Sequence, residues 1–451
     1  MEKAQLLGYA SNAHPNGGLM RKFLALFFVA VVFSIFFAGC SRGPKPVQVA
    51  VYTSDPATLK ILNEALRAIE LRHPGLRIEL VNIPYNNFQD KIATMMAGGN
   101  APDIISVEVN NFVELSLRGA LEDLTPYLQK DGMDPKIFYP TVFNRFSPGG
   151  KTYALPGDLA PFGLVYYNKK LFDEAGLPYP TSKWSWPEPL LSICKKLVKK
   201  DANGKIIQWA WGDPYNIGAD DFLLSDGGYY MDSETNPTKL ALDSPEALES
   251  FDFRWDMIWT YHVSPEPSQI QAFNFGPGAE TLFANGQIAM MPSGIWHTPN
   301  FLTHKDLSFD VVEFPWGPRH TRGWGCGGAG YSIWSGCKDK ERAWIVLKEL
   351  VGEDTESRLA ETGLIQPSLI KVANSDAFLK SPGPEHKSIL LDMPKYAHFG
   401  PFVKNWNEVW YSEVGPALDK CWLGEKKPSQ VLPKLTADLN KRYFGTAAGS
   451  R

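Results

Sequence analysis

The sequence predicts an α/β protein built as two lobes. Its length of 451 residues exceeds what a single compact core usually serves. Apolar runs of strand length alternate with helical periodicities along most of the chain, the pattern of a lobe with a largely parallel sheet. Pro and Gly are scattered as turn punctuation, and no internal repeat or low-complexity segment interrupts the alternation.

The elements follow in order. Gly43 to Pro46 reads as a short linker, and Val47 to Tyr52 as the first strand. Leu59, Leu62, Ala65, Leu66 and Ile69 share one helical face, and Leu76 to Ile83 is the next strand, so the opening is β-α-β. A helix from Asn87 to Ala97 stops at Gly98-Gly99, a strand runs from Asp103 to Val107, and a helix lies around Val113 to Arg118. Leu164 to Tyr167 and Ile206 to Trp211 are strands flanking a helix from Leu190 to Lys199, and helices dominate Ser244 to Tyr261. Late strands are Gln287 to Met291, Phe309 to Phe314 and Tyr331 to Trp334, before a helix from Lys340 to Val351.

The N-terminal stretch carries an address. Met20 to Cys40 has two positive residues, Arg21 and Lys22, then an unbroken apolar run closing on small residues, which is the layout of a signal peptide. Phe37-Ala38-Gly39-Cys40 resembles the lipobox of bacterial lipoproteins, so Cys40 is the expected lipidated residue, with Met20 the start and Met1 to Leu19 a polar leader. The alternative is a single transmembrane helix, for which Phe23 to Gly39 is at the short edge.

Several chemistries find no support. The net charge of -4 and the lack of long like-charge runs give no footprint for nucleic acid. The eight histidines show no metal-ligand spacing, no nucleophile elbow is present, and no cofactor is implied. Gly325 to Gly330 satisfies G-x-G-x-x-G, but an apolar strand follows where a dinucleotide site needs a helix. Cys194, Cys326, Cys337 and Cys421 leave disulfides open, although a strand between Cys326 and Cys337 at roughly 3.3 Å per residue separates that pair too far.

From Val49 to about Leu418 the chain resembles the extracellular solute-binding proteins of sugar importers, the maltose-binding type. The motifs are GGNAPDI (Gly98 to Ile104), GALEDLTPYL (Gly119 to Leu128), GKTYALPGD (Gly150 to Asp158), YYNKKLFDEAGLPYP (Tyr166 to Pro180), FANGQIAMMPSGIW (Phe283 to Trp296) and GGAGYSIW (Gly327 to Trp334). The resemblance implies a two-lobed periplasmic-binding-protein fold, type II-like. It implies three crossovers, near Pro156 to Pro161, Pro315 to Pro318 and Gln366 to Val372, and a ligand cleft between the lobes. Lobe 1 is then 47–157 plus 316–366, and lobe 2 is 158–315 plus 367–446. It also implies a monomer without catalysis that closes on its ligand and serves a permease with a cytoplasmic ATPase.

A sugar offers apolar C–H faces and a rim of hydroxyls, so its receptor needs aromatic platforms with carboxylates and amides around them. Fourteen tryptophans supply the first. Trp296 falls where relatives place a stacking aromatic, with a core position as the alternative. Trp410 resembles a second such aromatic, or continues a helical stripe from Trp406. Trp211 shares a strand face with Trp209, as platform or core.

Asp55 matches a hydroxyl-accepting position at a strand's C-terminal end, or caps the following helix. Glu108, Asn110 and Asn111 stand where relatives contact sugar, although Val107 and Asn111 replace the maltose-binding aromatic and basic residue, which puts maltodextrin in doubt. Asp158 is either a ligand acceptor or a hinge-fixing residue. Gly327 and Gly328 either bring N–H groups near the ligand or form a plain turn. Trp184 and Trp186 read as packing before a helix.

The function expected is capture of a carbohydrate by an exported, lipid-anchored binding protein on the periplasmic or cell-surface face. The alternatives are an exported glycoside hydrolase, for which no paired acidic motif appears, or a sugar-sensing receptor component. Arg319 and Arg322 near a crossover keep a phosphate or uronate ligand in view.

Overall fold

The computed structural model describes residues 45–53, 55–213, 217–271 and 278–445. The signal-like segment and Cys40 lie outside them, and no helix among the described residues is long and apolar enough to cross a membrane.

Two five-stranded sheets carry the fold. The first is built from β1 (Val47–Val51), β2 (Ile78–Asn82), β3 (Ile104–Glu108) and β4 (Leu155–Pro156). Its helices are α1 (Pro56–Arg72), α2 (Tyr85–Ala97) and α3 (Val109–Leu117). α1 buries Leu62, Ala65, Leu66 and Ile69, the face that the apolar spacing marks out. The chain then forms β5 (Ala160–Pro161) and enters the second sheet with β6 (Leu164–Asn168), β7 (Lys199–Lys200), β8 (Ile206–Trp211), β9 (Ile288–Ser293) and β10 (Phe309–Glu313). It returns through β11 (Trp324–Gly327) to β12 (Ala329–Ile333) in the first sheet, and β13 (Ala397–His398) comes last.

Strand order is β2-β1-β3-β12-β4 in the first sheet and β10-β6-β9-β8-β7 in the second. Both are mixed, which corrects the expectation of largely parallel sheets. β1 pairs parallel with β2 and β3, but β12 runs antiparallel to β3 and β4. In the second sheet only β8 and β9 are parallel. The cause is topological: β12 enters the first sheet from the second, against the direction of the β-α-β strands.

A small sheet, β13-β11-β5, sits at both passages. β5 pairs antiparallel with β11 through Cys326↔Pro161 and Gly327↔Ala160. The N–H groups of Gly157 and Asp158 both donate to Ala329 O, at 2.9 and 3.1 Å, so the outgoing and returning chains are tied side by side. Gly328 has φ +122, and a Cβ there would lie 2.9 Å from Asp158 O, so only glycine fits between them.

The apolar core includes Val49 and Ile104 of the first sheet with Leu66 of α1, and Tyr166 and Met290 of the second sheet with Phe283 of the helix Gly278–Ala284. Trp184 and Trp186 are buried as the sequence predicts, their ring N–H groups donating to Glu313 O at 2.8 Å and Ser225 Oγ at 2.9 Å. Cys194, Cys326, Cys337 and Cys421 are free and buried.

Candidate functional site

The edge of the first sheet nearest the small sheet is polar. β1 leads directly into Tyr52, β3 ends at Glu108, and Glu108 is paired with Ala329 in the β3–β12 register. Asp158, just after β4, accepts the Ala329 N–H at 2.5 Å. Glu108 is thus the backbone neighbour of Ala329, and Asp158 holds its N–H. Burial, then the neighbouring Glu108, pushes the Asp158 carboxyl up to about 6. Burial raises Glu108 too, while the Tyr52 and Tyr85 hydroxyls hold it back. Tyr85 OH and Asn111 Nδ2 reach Glu108 Oε2 at 3.5 and 3.2 Å. The Tyr52 phenol is raised well above its ordinary value by burial, then by Glu108 and Asp158.

Aromatics come from the second sheet. β9 leads through Gly294 into Trp296, whose half-buried ring meets Phe162 edge-on at 5.7 Å. That ring folds back over Gly294, where a Cβ would stand 1.7 Å from Trp296 Cζ3. Trp296 Nε1 donates to His297 Nε2 at 2.8 Å, and His297 approaches the buried Glu280 at 3.0 Å. Phe162 lies on the small sheet, in the space that Cβ atoms at Gly325 and Gly327 would take.

A second acidic pair rises from the helix Ile217–Ser225. Asp221 Oδ1 accepts the Gly325 N–H at 2.7 Å, and its Oδ2 has no hydrogen-bond partner among the described residues. Burial, then Asp220 and Asp213, holds Asp221 well above the usual carboxylate range. Burial takes Asp220 up to about 7 against the pull of the Tyr230 hydroxyl and Arg254. Tyr230 packs edge-on against Trp410 at 5.1 Å, and Trp410 stacks on Trp406 at 5.3 Å. Tyr411 next to it is 67% exposed. Its phenol is raised by burial, then by Asp220 and Glu108.

The structure thus gathers Glu108, Asn111, Asp158 and Trp296 around the small sheet. Asn110 is exposed beside them, its Oδ1 3.3 Å from the point a Gly400 Cβ would occupy, as is Trp406 Nε1. Gly327 and Gly328 make room for Phe162 and the Asp158 backbone. Asp55 acts as the N-cap of α1, accepting from Thr58 N at 2.7 Å and Thr58 Oγ1 at 2.6 Å.

Trp211 is set apart from the gathered residues. It is 1% exposed and packs on Phe222 and Phe314, because the inner face of β8 is covered by the helix Ile217–Ser225 and by the end of β10. Arg319 is engaged with Asp226 and Glu249, and Arg322 with Glu313 and the Tyr396 ring, so neither stands open for an anion. Sequence reasoning missed Tyr52, Tyr85, Phe162, Asp220, Asp221, Tyr230 and Tyr411. The exposed tyrosine beside Trp410 and the Asp220-Asp221 pair were the available signals.

Two α/β sheets joined through a small shared sheet, with polar and aromatic groups gathered near it, form the scaffold on which a ligand can be held. The chain belongs to the bacterial extracellular solute-binding protein family, whose model matches residues 53–356. A binding protein of Brucella abortus is 23% identical over 93% of this chain and 98% of its own length. An arabinooligosaccharide-binding protein of Halalkalibacterium halodurans is 26% identical over 57% of this chain and 56% of its own. In structure the chain is similar to a Listeria monocytogenes ABC substrate-binding protein in complex with cycloalternan, with a TM-score of 0.76 and 24% identity, covering 88% of this chain and 98% of that one. Family membership answers the hydrolase alternative, since this family binds solutes and delivers them to importers.

Proposed function

We propose that this protein captures a carbohydrate between its lobes and hands it to an ABC permease driven by a cytoplasmic ATPase. The observation that carries this reading is the gathering of Glu108, Asn111 and Asp158 with Trp296 and Phe162 around the small sheet. Hydroxyl acceptors and flat apolar rings are then both supplied, as a sugar requires.

Lobe 1 is 47–157 plus 316–366 and lobe 2 is 158–315 plus 367–446, a division in keeping with the sheet membership of β1 to β4 and β12 against β6 to β10. Closure turns about the small sheet and brings the two walls onto the ligand. The protein is exported, and lipid on Cys40 holds it as a monomer at the periplasmic or cell-surface face, with two or more acyl chains needed for stable anchoring.

A thermal-shift screen against mono-, di- and oligosaccharides, polyols and sugar phosphates tests the ligand class. At a hundred times Kd a true ligand stabilises by about 2.7 kcal/mol, a readily measured rise in Tm. Silence from every sugar, with a shift from another solute class, overturns the reading. For the anchor, Cys40→Ser abolishes labelling by a fatty-acid analogue and releases the protein from membranes; retention of both rejects lipidation.

A further inference from the structure

This inference rests on the lobe closure proposed above and makes no use of the solute's identity. Two of the expected crossovers, Pro156 to Pro161 and Gln366 to Val372, run side by side, with Leu159 paired antiparallel to Gln366. The Leu159 N–H donates to Gln366 O at 2.9 Å, and Ser368 Oγ lies 3.0 Å from Pro156 O. Behind Ser368 stands Glu356, on the helix Glu353–Ala360. Its Oε1 contacts Ser368 Oγ, and its Oε2 accepts the Leu369 N–H at 2.9 Å. Glu356 and Ser368 are both buried.

Hydrogen bonding along this chain of atoms requires a fixed number of protons. Ser368 Oγ contacts two oxygens, Pro156 O and Glu356 Oε1, but a hydroxyl has one proton to give and a carbonyl has none. Both contacts are satisfied only when Glu356 is protonated: its carboxyl O–H donates to Ser368 Oγ, and the Ser368 O–H donates to Pro156 O. Once Glu356 is ionised, the serine proton turns to the carboxylate, the stronger acceptor. Pro156, itself buried, then loses the donor to its carbonyl, and the Leu159–Gln366 bond is left to join the two passages.

The surroundings favour the proton. Asp158, on the first passage, and Tyr331 of β12 are the titratable groups coupled to Glu356, and neither supplies positive charge. The helix packs against α1 and the helices Lys340–Leu350, Ile370–Ala373 and Asp376–Leu379. Cations on and around these elements hold other acids: Arg72 with Glu349 and Asp354, Arg358 with Asp354, Lys371 with Glu353, Lys348 with Asp131, and Lys380 with Asp376. We propose that Glu356 is a proton-operated latch of the hinge: protonated, it fastens the first crossover to the third through Ser368, and ionised, it lets them part. Burial takes this carboxyl up to about 8, so the latch is fastened at neutral pH and opens as pH rises through that value.

The test is hydrogen–deuterium exchange of the full chain without solute, corrected for intrinsic exchange rates and read by mass spectrometry on peptides spanning 157–162 and β9. From about pH 7 to about pH 9, protection of the Leu159 amide in the wild type is expected to fall about tenfold further than that of β9. Glu356→Gln, whose side-chain N–H donates to Ser368 Oγ at any pH, is expected to abolish this difference and keep Leu159 protected. Ser368→Ala, which lacks the relay, is expected to leave Leu159 poorly protected at both ends of the range. A Leu159 amide that keeps pace with β9 in the wild type, or one that falls as far in Glu356→Gln, overturns the latch. Should Ser368→Ala fail to fold, the wild type and Glu356→Gln decide between these outcomes. No sugar is present, so a failed latch leaves the capture reading standing, while failure of that reading shows in the thermal-shift screen.

Discussion

At the scale of single residues, Trp296 and Glu356 make opposite kinds of prediction. The Trp296 ring is half-buried against Phe162 and held over Gly294, and its exposed face is the platform we assign to the ligand. Trp296→Ala should raise the Kd for the sugar identified in the screen by about thirtyfold, the scale of a central aromatic contact worth about 2 kcal/mol, with a small change in Tm. Gly294→Ala should do the same by a different route, because the new Cβ would occupy the ring's position. An unchanged Kd in both variants removes Trp296 from the site.

Glu356 concerns stability. It is buried and bound to Ser368 Oγ and, at 2.9 Å, to the Leu369 N–H, while Ser368 Oγ also donates to Pro156 O at 3.0 Å, beside the outgoing passage. Burial pushes its carboxyl up to about 8 from an ordinary 4.5, against the pull of those hydrogen bonds. Between those values the native state keeps a proton that the unfolded chain releases, so this group's contribution to stability is full below pH 4.5 and is lost as pH rises to about 8. Glu356→Gln retains both hydrogen bonds without the titration. The Tm of the variant minus that of the wild type should therefore grow by about 2–5 °C from pH 5 to pH 8. A constant difference across that range rejects the assignment.

At the scale of elements, α1 illustrates how one residue serves two readings of the sequence. Asp55 lies at the C-terminal end of β1, where a ligand group is expected, and also directly before a Pro-initiated helix. In the structure both of its contacts to Thr58 are capping bonds. Asp55→Ala should cost about 1 kcal/mol in chemical denaturation and leave sugar affinity within about twofold. A large loss of affinity at unchanged stability would return Asp55 to the site.

The same contrast explains what was legible. Long elements could be read because their burial is periodic: the Leu62 to Ile69 stripe and the fully buried β9 announce themselves. Glu108, Asp158 and Trp296, which the family resemblance singles out, lie around the small sheet. The small sheet itself could not be read, since β5 and β13 have two residues each and exist through pairing with β11. Trp211 misled because alternation identifies a shared face without saying whether cleft or core covers it. Asp220 and Asp221 hid for the converse reason: two acids on a helix read as solvated surface until the neighbouring elements bury them.

At the scale of the whole molecule, the closure proposed above would have to be absorbed at the small sheet. The paired passages Pro156 to Leu164 and Gly327 to Ala329 are joined by the Gly157, Asp158 and Cys326 to Pro161 contacts, so a rotation there moves both strands together. Gly328 supplies backbone freedom at that point, and Asp158 fastens the returning strand. Ligand binding favours whichever lobe arrangement it contacts on both walls, by its difference in affinity between the arrangements. Saturating ligand should therefore reduce the radius of gyration measured by small-angle X-ray scattering and shift tryptophan emission, given Trp296, Trp406 and Trp410 around the site. Gly328→Val places a branched side chain at φ +122 and into the Asp158 carbonyl, so it should slow or abolish the compaction at any ligand concentration. Compaction that survives in a folded Gly328→Val protein would move the hinge away from the small sheet, and ligand saturation without compaction would replace closure with binding to a preformed cleft.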